Sequence, residues 1–599
     1  MKIATKTLLT FAATSLAVCG RIEAATATWV GAGADGNFGT AANWSTPAAS
    51  GDALVFNAAG TSGTSLANNL SSATFAGITF NAGAPAYTIG GNGFDFTTGI
   101  ANNAAVTQTF ATGNYIKASG AVVLSTVAGG ALTFTQDFGF VTAGDSVQVV
   151  GGGTVNFMHL GAGGSGPAGT ITVDTGATAT IAAGGYVNNF RGTINIAGTL
   201  TNNSNVGSFG GFAGTGNTTI NVAGGIYNVA AGNGLSNASI NLTNGTINLN
   251  YQNVGSEMNN VAAASGETGI VNVGSMIGSG GFTIKNGITF NIKAGSYVNS
   301  FGGTIFIANG AVLNNNTDIG SYQGFAGATT NIQGGTLNVN GGGARLTATT
   351  VMTGGTINTN TGFVANAQNY NTFNIVATAA GSGTLNIKNG ITGSGTINIG
   401  SASGNTGAIT AIMTGTSAYT NNFTGTINIA AGSIFTNGNA VTAYQGWGSG
   451  AKITVGGTYN ANTASALQNL AGLTINTGGL VVLNAAGALA ANGTFVNNGT
   501  MKVGVTGNLL TLSGTGGYTM NGILDLSGLY TTAGTYTLIT GGTATDTAVS
   551  ITGYNTGAFS ASFAAGKLML VAIPEPAVCG LAGAGMLALV TGTRRRKRA

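Results

Sequence analysis

Tyr186-Val187-Asn188-Asn189-Phe190, followed at once by Gly192-Thr193-Ile194-Asn195-Ile196, is the stretch that decides the fold. Apolar and polar residues alternate with period two after Gly192, the pattern of a half-buried strand. The same string returns as Tyr297-Val298-Asn299-Ser300-Phe301 and as Tyr419-Thr420-Asn421-Asn422-Phe423, 111 and then 122 residues further on. Strands follow each copy, at Gly303–Ile307 and Gly425–Ile429. An aromatic-glycine turn comes next in all three: Phe209-Gly210-Gly211-Phe212, Tyr322-Gln323-Gly324-Phe325 and Tyr444-Gln445-Gly446-Trp447. Second strands begin at Gly225, Gly335 and Gly457, and third strands at Gly245, Gly355 and Gly478. Gly-Thr-Ile/Leu-Asn alone occurs seven times, from Gly192 to Gly425. Three copies in one internal order are a duplicated unit of about 110 residues, itself built from steps of about 20.

A step of about 20 residues holding two or three short strands is one coil of a right-handed parallel β-helix, and the reading is an all-β β-solenoid. Each strand pairs with its equivalent one coil away at ~4.8 Å, and inward Ile, Val and Leu stack into an apolar column. Gly and Asn are expected at positive-φ corners, with each Asn able to bond its counterpart in the next coil. Over residues 99–570 this predicts about 23 coils and a rod of roughly 110 Å. An array of β-sandwiches would expect more even strands, more Pro and a larger aromatic core.

Composition supports the solenoid. Of 599 residues 106 are Gly and only 5 are Pro, which excludes collagen. Charged residues make up 5% and hydrophobic ones 43%, the reverse of a disordered chain. The formal charge of +4 comes from the two ends; the interior holds nine cations (Lys117 to Lys567) against eleven acids, 9 − 11 = −2. No basic face for nucleic acid emerges. Cys19 and Cys579 both lie in terminal segments, so the body is expected to hold no disulfide and no thiolate metal site.

The ends read as addresses. Residues 1–24 have the pattern of a secretory signal: Lys2 and Lys6, an apolar run from Leu8 to Val18, and cleavage after Ala24. At the other end, Pro574-Glu575-Pro576 precedes the apolar stretch 577–593, which ends in Arg594-Arg595-Arg596-Lys597-Arg598. Seventeen helical residues span ~26 Å, the lower limit for a bilayer, and the basic cluster would stay cytoplasmic. Residues 573–599 resemble the PEP-CTERM sorting signal of exported proteins of Gram-negative bacteria. The resemblance implies that a membrane-embedded, exosortase-type cysteine transpeptidase recognises Pro574, Glu575 and Pro576 and removes the tail. It further implies an inner-membrane intermediate, a final place at the cell surface or in the extracellular matrix, and an association with exopolysaccharide and biofilm.

Residues 25–98 differ from the repeats. Trp29-Val30-Gly31, Asn43-Trp44 and Gly51-Asp52-Ala53-Leu54-Val55-Phe56 suit an aromatic N-terminal β cap over the first coil of a solenoid at 99–507. This opening resembles that of secreted proteins with autotransporter-associated β-strand repeats, which implies a passenger-like β-helix. The sorting tail stands where such proteins carry amphipathic barrel strands, so the likeness does not extend to self-export. Residues 508–572 are expected to form a closing β cap.

Chemistry is sparse. Asp137 and Asp145 are the closest acids and read as turn markers, as do Glu257 and Glu267 in a polar loop. His159, the one histidine, reads as an imidazole on a turn; it cannot build a zinc site alone. Gly31–Gly36 and Gly161–Gly166 match G-x-G-x-x-G, but neither opens a helix. Gly91-Asn92-Gly93-Phe94-Asp95-Phe96 is a single glycine-aspartate turn, where calcium binding would need tandem copies. No cofactor or catalytic residue is expected. Tyr322, Phe325, Tyr444 and Trp447, at matching places in two repeats, are the candidates for a surface contact ridge. The expected role is structural or adhesive, with glycans or like rods as partners. A polysaccharide lyase or hydrolase on the same scaffold and a self-assembling surface-layer or fibre protein are the alternatives.

Overall fold

The computed structural model describes residues 24–573. Outside it lie 162–167, 205–217, 231–237, 318–327, 365–371, 401–405, 415–422, 439–446, 530–535 and some shorter stretches. It is all-β, a parallel β-solenoid with only single-turn helical pieces among the described residues. The strand Thr193–Ile196 puts Ile194 and Ile196 in the core and Thr193 and Asn195 outward, as its alternation requires. Its neighbours are not adjacent in sequence. Thr170, Thr193, Thr219 and Ser239 stand in one parallel register on one face of the coil. Thr178, Thr199, Ile226 and Thr246 do so on a second. A short third face completes the turn in the N-terminal coils: Phe94–Phe96, Ile116–Ala118 and Phe138–Phe140 pair in parallel.

The long repeat has a structural unit. Register passes from Thr199 to Val312 through five strand pairings, and from Val312 to Ile434 through five more. Each copy is therefore five coils. Successive ladder partners lie 19 to 30 residues apart, so the mean coil exceeds 20 residues and residues 99–570 make fewer than the 23 coils expected.

Asparagines bond between coils from strand faces and also from corners, where Asn316, Asn340 and Asn360 form a ladder just past the strand ends. From Asn228 to Asn386, seven consecutive Nδ2–H···Oδ1 bonds of 2.7–2.8 Å join Asn228, Asn248, Asn272, Asn291, Asn314, Asn338, Asn358 and Asn386. Among described non-glycine residues only Ser72, Asn244 and Asn469 have positive φ. A second set of asparagines turns inward where a strand ends. Asn68, Asn102, Asn202 and Asn497 are buried, and each side-chain oxygen accepts the N–H two residues on, bending the chain at the corner. The glycine of the Gly-Thr-Ile-Asn repeat meets a different need. A Cβ at Gly192 or Gly425 would run into the carbonyl oxygen of Gly169 or Gly395, one coil away.

Like also stacks on like in the core. Phe110, Phe134 and Phe157 lie face to face in three successive coils, at 5.1 and 5.6 Å between ring centres. The coils begin at Thr26, whose strand pairs in parallel with Ala53–Phe56, so residues 25–98 are coils themselves. Only the segment around Ala41–Ser45 acts as a lid: Ser45 and Thr28 exchange hydrogen bonds, and Trp44 packs edge-on to Trp29 at 5.0 Å. At the far end the strands of 508–552 continue the parallel winding. The hairpin Phe559–Ala564/Lys567–Ala572 then folds antiparallel over Tyr536–Thr540.

Two substitutions test this account. Asn291→Ala removes two amide bonds from mid-ladder and is expected to cost about 1–3 kcal/mol in denaturant unfolding. Tyr87 is buried with its hydroxyl unpartnered among the described residues, and burial pushes it up to about 12. Tyr87→Phe should therefore raise stability by about 1 kcal/mol in the same measurement.

Candidate functional site

Charge is scarce enough that its placement stands out. On the third face, register aligns Ser72, Gly93, Tyr115, Asp137 and His159 in one outward column, one residue per coil. Tyr186 extends it: Leu160 N–H donates to the Tyr186 carbonyl, and the His159 and Tyr186 rings lie 4.5 Å apart. Two residues further along each strand runs a second column of Thr74, Asp95, Lys117, Gly139 and Gly161. Inward between them sit Phe94, Ile116, Phe138 and Leu160, all buried, which fix the strands that carry both columns.

His159 thus lies on a strand, Thr154–Leu160, and not on a turn. Its Nδ1 is 2.6 Å from Asp137 Oδ1, a hydrogen-bonded carboxylate–imidazole pair. The side chains keep 19% and 28% exposure, enough to meet a ligand. Tyr115 and Tyr186 are exposed by 40% and 41%. Lys117 Nζ hangs 5.6 Å over the Tyr115 ring. Beside them opens a groove of about 420 Å³, walled by Ser72, Asn92, Asp95, Asn114, Tyr115 and Lys117. Burial raises the Asp95 carboxyl, and Lys117 opposes that rise. Ser72, on the groove wall, holds φ at 51°, a strained value for a side-chain-bearing residue.

Of the expected turn markers, Asp137 lies within the strand Ala131–Phe140 and not on a turn, whereas Asp145 does close one. Asp145 is buried away from Asp137: it accepts hydrogen bonds from Thr142 N–H (2.5 Å), Gly120 N–H (2.8 Å) and the Thr142 hydroxyl (2.9 Å). Burial pushes its carboxyl up, but those bonds outweigh it and hold it below the usual carboxylate range. Glu267 accepts from Asn244 at 2.7 Å and braces a corner. In Gly91–Phe96, Gly91 and Gly93 make a coil corner where a Cβ would meet the Asn68 and Tyr115 carbonyls. Gly31–Gly36 is tied to the N-terminal lid by Asn43, whose amide bonds the Asp35 and Asn37 carbonyls and accepts Gly33 N–H.

Trp447 corrects the expected contact ridge. It is 2% exposed, packs between Phe423 and Phe435, and donates its indole N–H to the Ala466 carbonyl at 2.8 Å. Asn437 and Tyr459 donate to the same oxygen, so the ring fills a coil end. Tyr322, Phe325 and Tyr444 lie outside the described residues, as do Pro574, Glu575, Pro576 and Arg594, Arg595, Arg596, Lys597 and Arg598. Ala24 is exposed at the start of the described chain. Among the described residues no helix is long and apolar enough to cross a membrane, and no three His, Cys, Asp or Glu side chains group to hold a metal.

Comparison of the chain with protein-family models, with curated proteins and with solved structures returns no match.

A pH test follows from Asp145. Its carboxyl titrates lower folded than unfolded, so its contribution is present above about pH 4 and is lost as pH falls through the folded value. Asp145→Asn should lower the urea midpoint at pH 7, with the difference from the parent protein shrinking at pH 3.

Proposed function

We propose that this chain is an exported cell-surface or extracellular-matrix protein of a Gram-negative bacterium, a right-handed β-solenoid with a structural or adhesive role. On this reading the tail 573–599 holds it at the inner membrane until an exosortase-type transpeptidase acts at Pro574-Glu575-Pro576. The observation that carries the reading is the continuous stack of coils with a core filled by side chains. Such a body offers length and two faces of Thr and Asn hydroxyls and amides. Its stability comes from repeated backbone pairing, which suits a scaffold outside the cell.

The Asp137–His159 pair favours a second reading, a polysaccharide-cleaving enzyme, because a carboxylate-bound imidazole can carry a proton. Spacing weighs against it. Asp95 and Asp137 are two coils and two residues apart, a backbone separation of about 12 Å. Paired glycosidase carboxyl groups stand at most about 9.5 Å apart, so these two side chains would have to lean toward one another by several ångströms.

Fractionation tests the first reading. Cells expressing the full chain should carry it in membrane and surface fractions, whereas a chain ending at residue 572 should leave with the soluble exported fraction. The same distribution for both would refute the role assigned to the tail.

A further inference from the structure

We propose that the third face, from the groove at Ser72 to the ring of Tyr186, binds a neutral linear polysaccharide lying parallel to the solenoid axis. This rests on the adhesive reading and names its ligand class. Tyr115 and Tyr186 supply two exposed rings in one register column, three coils apart, or about 14 Å. The coil rise is close to the length of one pyranose residue in an extended chain, so successive sugars meet successive coils. Flat C–H faces of sugars stack on the rings, and the hydroxyl rim needs acceptors and donors alongside. Asp95 and Asp137 accept hydroxyl protons, while Lys117 and the Asn114 amide donate. Gly139 and Gly161 continue the Asp95–Lys117 column without side chains, leaving a trough beside the Asp137–His159 pair.

Charge selects among glycans. Two carboxylates, Asp95 and Asp137, face a single lysine, Lys117, so the strip repels a polyanion. Neutral chains meet no such barrier. Polar groove walls and the strained Ser72 turn fit a site shaped to hold something rather than a plain coil surface.

Affinity electrophoresis of the purified full-length chain through gels containing hydroxyethyl cellulose, galactomannan or alginate tests this. Retardation is expected in at least one neutral polymer and not in alginate. The double variant Tyr115→Ala/Tyr186→Ala should weaken retardation at least tenfold with an unchanged melting curve. Tyr115→Phe/Tyr186→Phe keeps the rings and should retain binding. No retardation by either neutral polymer, retention by alginate alone, or full binding by the double alanine variant would each overturn the proposal. None of these outcomes alters the fractionation result, so the surface role and its ligand fail separately.

Discussion

Every described strand of the shaft finds its backbone partners one coil away, at a sequence distance of about two dozen residues. That single constraint governs the side chains as well as the backbone. In-register parallel stacking puts equivalent residues within ~4.8 Å of each other, so a residue type succeeds only if it tolerates its own kind. Asn succeeds because its amide both donates and accepts, and the run from Asn228 to Asn386 is the result. Phe succeeds by stacking, as Phe110, Phe134 and Phe157 do. Stacked like charges would repel, which accounts for a chain with 5% charged residues.

Much of this is legible in the sequence because repetition is visible without alignment. Gly-Thr-Ile-Asn exposes inward Ile, outward Thr and Asn, and the glycine that a close corner demands. The identity of the corners is harder to read. Asn at a strand end and Asn in a strand middle look alike in sequence, yet one is buried around its own backbone and the other forms an outward ladder. Coil length is also hard to read, because corners let the coil-to-coil spacing range from 19 to 30 residues without disturbing the strands. Trp447 misled for a related reason: a ring beside glycines resembles an exposed turn, but its indole N–H finds the Ala466 carbonyl inside.

The third face was the least legible part, although a signal was present. Tyr115, Asp137 and His159 are spaced by 22 residues, as are Asp95 and Lys117, and each spacing is one coil. Reading the charged residues at the local coil period, instead of by their nearness in sequence, would have joined Asp137 to His159 and separated it from Asp145. Pairwise distance along the chain is the wrong measure in a wound structure.

The equal registers of Thr199, Val312 and Ile434 carry a last implication. Both ends of the shaft are sealed by unique segments, the Trp44 lid and the closing hairpin, and the five-coil blocks between them are interchangeable in pairing. Gain or loss of a whole block by unequal recombination would leave both seals intact and every hydrogen-bonding register satisfied. The length of the shaft is then a quantity that genomes can adjust in fixed increments, without inventing a single new contact.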